Sequence, residues 1–157
     1  MINLTNLNRQ HDSIMAEIVL LEEEIKKGSN AMDTAKAALH ISKLAGLLKI
    51  HLLEEDKFLY PDLFNSANNE IKDLAQRYNK EMGSLSEEYT DFKNNYNVGN
   101  KLKGKEAVFL SDAKKIIEIL KRRISKENTE LYRIIKEKRS SAYYYRKYYF
   151  EILKIIK

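Results

Sequence analysis

His51 and Glu55 stand four residues apart, with Leu52, Leu53 and Glu54 between them, in a run rich in helix formers. On a helix, positions i and i+4 lie one above the other on the same face. An imidazole and a carboxylate stacked that way and turned inward are two preformed ligands for a first-row metal ion. Asp56-Lys57-Phe58-Leu59-Tyr60-Pro61 comes next, and the proline is expected to end the helix soon afterwards.

The elements that must position such a pair are legible in the pattern of apolar residues. Four long helices are expected. Helix A covers about 6–27, with His11, Ile14, Ile18, Leu21 and Ile25 inward at the three-four spacing of a bundle. Gly28 is placed to cap its C-terminus. Helix B runs from an N-cap at Asp33 to about Tyr60, with Ala37, His40, Leu44, Leu47, His51, Glu55 and Phe58 inward. Helix C covers about 68–96, with Ile71, Leu74, Tyr78, Met82, Leu85, Tyr89, Phe92 and Tyr96 inward. The Asn- and Gly-rich stretch 94–104 reads as a loop. Helix D covers about 105–138, with Ala113, Ile116, Leu120, Arg123, Glu127, Leu131 and Ile134 inward. Buried polar groups are costly unless paired, so His51 and Glu55 on B, and Arg123 and Glu127 on D, are the informative breaks in these seams.

Composition agrees with an all-α protein. In 157 residues there are one Pro, five Gly and no Trp, and the length is that of a single domain. Without cysteine there is neither a disulfide nor a thiolate metal site. The first ten residues are polar and no apolar run approaches a membrane span, so a cytoplasmic protein is expected. The net charge of +5 is uneven: residues 133–157 carry eight Lys or Arg against two Glu. A domain over 1–138 is thus followed by a basic, Tyr-rich helix over 139–157.

Helices B and D share a half-repeat. The ten residues from His51 to Tyr60 align without gaps on those from Arg123 to Tyr132. Glu55 meets Glu127, Leu59 meets Leu131, and Tyr60 meets Tyr132. His51 meets Arg123.

A His on helix A, His-x-x-x-Glu on B and a Glu at the matching place on D resemble a hemerythrin-like (HHE cation-binding) domain, over about 7–135. The resemblance implies an antiparallel up-down four-helix bundle around a non-haem iron centre. In that family the A and B histidines bind one iron, the C and D histidines bind the other, and two carboxylates bridge them. His11 matches the ligand on A, His51 and Glu55 match B, and Glu127 matches the carboxylate on D. Met82 stands where helix C offers its imidazole, and Arg123 stands where helix D offers one. The resemblance therefore implies one metal held by His11, His51, Glu55 and Glu127, with Met82 and Arg123 beside it. Two nitrogens and carboxylate oxygens, with room for water, suit Fe(II), Mn(II) or Zn(II).

The expected function is metal binding, with iron in a reduced or mononuclear site, to sense, carry or buffer O2, NO or iron. No catalysis is expected. The alternative is a metal-free interaction module in which the Arg123 guanidinium replaces the second metal, pairing with Glu55 or Glu127. A different class starts from His40-Ile41-Ser42-Lys43, which resembles the His-x-x-Lys core of histidine phosphotransfer domains. There an exposed His takes up phosphate, whereas Leu44 fills the place of the Gly that admits the partner. His40 reads instead as a satisfied core or boundary histidine, about 16 Å along the axis from His51. The tail around Tyr143, Tyr145, Tyr149, Ile152 and Ile156 has ordinary amphipathic spacing, suited to packing on the bundle, a second subunit or a protein partner. Nucleic acid and membrane are weaker readings of it.

Overall fold

A computed structural model of the chain describes residues 3–138, and all regular structure among them is helical. The expected Tyr-rich helix lies outside the described residues. In chain order the elements are α1 (Leu4–Lys26), α2 (Thr34–Glu54), a π-helical turn π1 (Glu55–Leu59), α3 (Tyr60–Phe64), α4 (Asn69–Tyr96), α5 (Gly99–Leu102), α6 (Glu106–Lys126) and a second π turn π2 (Glu127–Leu131). The packing divides the chain into two units, Met1–Ile124 and Ser125–Lys157.

Short polar side chains start the long helices by satisfying backbone donors that have no helical partner. Asp33 Oδ1 accepts from the N–H groups of Ala35 and Lys36 at 3.0 and 3.1 Å, and Asn68 accepts from Ile71 at 3.3 Å. Gly28, at φ +76°, turns the chain after α1, a conformation that favours glycine. Across that turn the buried Glu24 carboxylate accepts from the Asp33 backbone N–H and from Lys27 Nζ, both at 2.6 Å. Burial alone would push this carboxyl up. The two hydrogen bonds, with the charges of Lys27 and Lys36, outweigh it and hold Glu24 below its ordinary value.

Within the first unit, one apolar core draws on all four long helices. Ile14, Ile18 and Leu21 come from α1, Ile41 and Leu44 from α2, Leu85 and Phe92 from α4, and Phe109 and Leu120 from α6. Contacting pairs fix directions. Gln10 meets Glu54, Glu17 meets His40 and Glu24 meets Asp33, so α1 and α2 run oppositely. Tyr96 donates to Asp112 at 2.7 Å while Arg123 reaches Glu81, so α4 and α6 also run oppositely.

Three expectations are corrected. The 94–104 loop contains the helical turn α5, whose Leu102 is fully buried. Gly99 allows that approach, because a Cβ there would stand 3.2 Å from Ala35 Cα. Helix B, expected to end near Tyr60, carries on through α3 to Phe64, three residues past Pro61. A proline ring needs room at the carbonyl four residues back, here Lys57, and that residue lies in the widened turn π1.

The third correction concerns Phe58. Tyr60 N–H bonds to Glu55 O, five residues back, so π1 holds one residue more than an α turn. The extra residue rotates the rest of the helix by about 100°. Phe58, expected inside, is 48% exposed, whereas Leu59 and Tyr60 are buried. In the second unit, π2 repeats the pattern: Tyr132 N–H bonds to Glu127 O, Leu131 and Tyr132 are buried, and helix resumes over 132–138. There Ile135 is buried and Ile134, the expected core residue, is half-buried.

Two outcomes are expected. Leu59→Ala should cost about 2–5 kcal/mol in denaturant unfolding, while Phe58→Ala stays within about 0.5 kcal/mol; the reverse order would refute the π1 register. Glu24→Gln should cost about 1–2 kcal/mol at neutral pH. A lowered carboxyl stabilises above its ordinary value of 4.5 and loses that contribution as pH falls through its folded value. The gap between Glu24→Gln and the parent should therefore close in acid, and a gap independent of pH would count against the assignment.

Candidate metal centre

α1 and α2 bring two imidazoles together inside the first unit. His11 and His51 are 2% and 3% exposed, and their Nε2 atoms are 3.2 Å apart. The rings are tilted by 51°, with centroids at 4.6 Å. Glu55 is fully buried at the start of π1, with Oε1 3.7 Å from His51 Nε2. Metal–nitrogen and metal–oxygen bonds of about 2.0–2.1 Å let two donors of one ion stand at most about 4.2 Å apart. The His11–His51 and His51–Glu55 separations both fall inside that limit, so these neighbouring donors are compatible with a shared ion.

On the far side of His51, Nδ1 is 3.0 Å from Gln10 Oε1. Gln10 Nε2 donates to Glu54 Oε2 at 2.6 Å, and Asn6 Nδ2 donates to the same oxygen at 2.6 Å. Sequence reasoning missed Gln10 and Glu54. Each directly precedes a candidate ligand and half faces the core, and that adjacency is the signal that could have found them.

Arg123 is drawn inward. It is 6% exposed, donates through NH2 to Tyr60 Oη at 3.0 Å, and lies over the Tyr78 ring at 4.6 Å from its centroid. Its NH1 stands 3.6 Å from Glu81 Oε2, on a half-exposed side chain. Met82 is buried on α4 and lines a cleft of about 340 Å³ with Leu52, Leu85 and Leu120. His40 is tied to Glu17, Nδ1 to Oε1, at 2.6 Å, with its side chain 15% exposed. In the second unit Glu127 heads π2 and is 1% exposed, the same local setting that Glu55 has in π1.

Among the described residues, a wholly helical fold with buried imidazoles and carboxylates fits a cation-binding domain. The chain belongs to the hemerythrin family: the model of the hemerythrin HHE cation binding domain matches residues 3–135. No curated protein and no solved structure matches the chain. Membership implies metal binding and a metal cofactor. No described helix is long and apolar enough to cross a membrane.

Arg123→Met deletes a charged donor to Tyr60 and the stacking on Tyr78. It should cost about 1.5–3 kcal/mol in urea unfolding. Arg123→Lys should not restore the loss, because an ammonium lacks the planar fork. A neutral Arg123→Met would show that these contacts add nothing.

Proposed function

We propose that the chain is a hemerythrin-like metal-binding protein of the cytoplasm, built as an antiparallel up-down four-helix bundle. It holds one non-haem iron ion with His11, His51, Glu55 and Glu127. The observation that carries this is the buried pair of Nε2 atoms at 3.2 Å, with a carboxylate one turn away. One further finding supports the fourth ligand: Glu127 is buried at the head of π2 as Glu55 is at the head of π1.

Bound Fe(II) would supply open coordination positions for O2 or NO, and Mn(II) or Zn(II) would suit the same donors. The residues themselves do the rest. His11 and His51 give nitrogen donors, the carboxylates offset the cation's charge, and Ile14, Leu48 and Leu59, each about one helical turn from His11, His51 or Glu55, are buried apolar residues. Sensing, carriage or buffering of a small ligand or of iron fits this donor set, and we assign no catalytic step. For the basic, Tyr-rich sequence 139–157, the proposed partner is a second copy or another protein.

A second reading is favoured by one observation, the burial of Arg123. A permanent cation at the helix D position would make the domain a metal-free interaction module. Elemental mass spectrometry on untagged, chelator-free protein grown with iron separates the two. About one iron per chain is expected, with Glu55→Ala and His51→Ala each lowering the content and removing the metal-dependent rise in melting temperature. A folded protein without metal, its melting unchanged by added Fe(II), Mn(II) or Zn(II), would leave the second reading standing.

A further inference from the structure

The network behind His51 dictates where its protons sit. The Glu54 carboxylate, ionised, can only accept. Gln10 must therefore turn its amide N–H toward Glu54, as the 2.6 Å Nε2–Oε2 contact has it. That leaves Gln10 Oε1, which can also only accept, facing His51 Nδ1 at 3.0 Å. The hydrogen between them must come from the imidazole. Asn6, donating to the same Glu54 oxygen at 2.6 Å, holds the carboxylate in place.

We infer that Glu54 and Gln10 form a relay that locks neutral His51 as the Nδ1–H tautomer and aims its Nε2 lone pair at His11. The step toward a metal rests on the proposed function; the tautomer does not. Both relay residues are positioning residues. They act through His51 from the half-buried margin of α1 and α2, so the constraint reaches the interior from the rim. Metal-bound imidazoles characteristically donate their other N–H to a carboxylate or carbonyl, which fixes the ring and makes the ligating nitrogen more basic. Here an amide stands between the imidazole and the carboxylate.

The half-repeat supplies an independent argument. Where His51 aligns with Arg123, Glu54 aligns with Lys126. The imidazole and the acceptor that sets its tautomer are replaced together, and in both places a cation appears. An acceptor-only side chain has a use where an imidazole must be told which nitrogen to protonate. A guanidinium, which carries donors on every nitrogen, has no such choice to be made.

The test uses full-length, nitrogen-15-labelled protein stripped of metal, at a pH above the imidazole range. Long-range nitrogen–proton spectra are expected to show His51 as the Nδ1–H tautomer. In Gln10→Leu the Nε2–H form should appear, and Zn(II) affinity should fall by about 10–100-fold. Glu54→Gln, which lets both amides turn over, should give a mixture and carries the test if Gln10→Leu fails to fold. His51 as Nε2–H in the parent protein, or a tautomer unmoved in both variants, would overturn the relay. The Nδ1–H tautomer with no Zn(II) binding would uphold the relay while overturning the metal-binding reading.

Discussion

Two imidazole nitrogens 3.2 Å apart in an apolar interior constrain everything around them. A buried polar group without a partner costs on the order of 1–3 kcal/mol, so both rings must be satisfied on every polar edge. That demand fixes the register of α1 against α2. Shifting α1 by one residue would turn His11 off the inner face by about 100° and break Gln10 and Asn6 away from Glu54. The apolar seam above the pair, Ile14, Ile18 and Leu21 against Ile41 and Leu44, tolerates substitutions of similar size far better than a shift of register. Polar contacts therefore choose the alignment that the hydrophobic core then stabilises. Glu24 and Asp33 do the same at the other end of the helix pair.

The π turns are the second place where backbone and chemistry meet. Each begins at a buried glutamate and ends just before a buried tyrosine. Isolated π turns are uncommon and tend to persist where a site uses them. Here the wider turn buries two consecutive side chains, Leu59 with Tyr60 and Leu131 with Tyr132. Tyr60 is thereby aimed inward, where its hydroxyl accepts from Arg123. The extra residue thus serves the polar interior as well as the packing.

Much of this was legible in the residues. The stripes on helices A and C came through residue for residue, because an α-helical period with Ile, Leu and aromatic side chains has only one way to bury itself. Asp33 and Gly28 marked their turn through capping chemistry that acts locally. His51, Glu55 and Glu127 were legible as polar interruptions of apolar seams, and His11 as a ligand only through the family resemblance. The features that escaped depend on long-range or non-periodic effects. Phe58 was misplaced because a period of 3.6 was carried through a turn that does not obey it. The gapless alignment of the half-repeat said that both turns would be alike, not that they would be wide. α5 escaped notice because four residues are too few to show a period. The Glu54–Gln10–His51 chain needs two helices in register, and single-helix patterns carry no such information.

The exchange of His51 for Arg123 across the half-repeat has an electrostatic consequence for metal stoichiometry. A guanidinium stays charged when buried. A divalent ion about 5 Å from it would be disfavoured by about 7 kcal/mol at an effective dielectric constant of 20. Neutral imidazole imposes no such penalty and contributes a bond. Losing one ligand to an apolar residue, as at Met82, weakens a site; replacing another by a fixed cation opposes it. Arg123 is also anchored, by the Tyr60 hydroxyl on one side and the Tyr78 ring on another, so it cannot swing out to admit an ion without giving up both. At the His51 pole the setting differs. The proposed relay presents a lone pair with an acceptor-only carboxylate behind the Gln10 amide, and the buried Glu55 one turn on follows an imidazole, where Glu127 follows the guanidinium. The two halves of the repeat keep the same backbone and have opposite preferences for a cation, and that opposition argues for one ion at the imidazole pole rather than two.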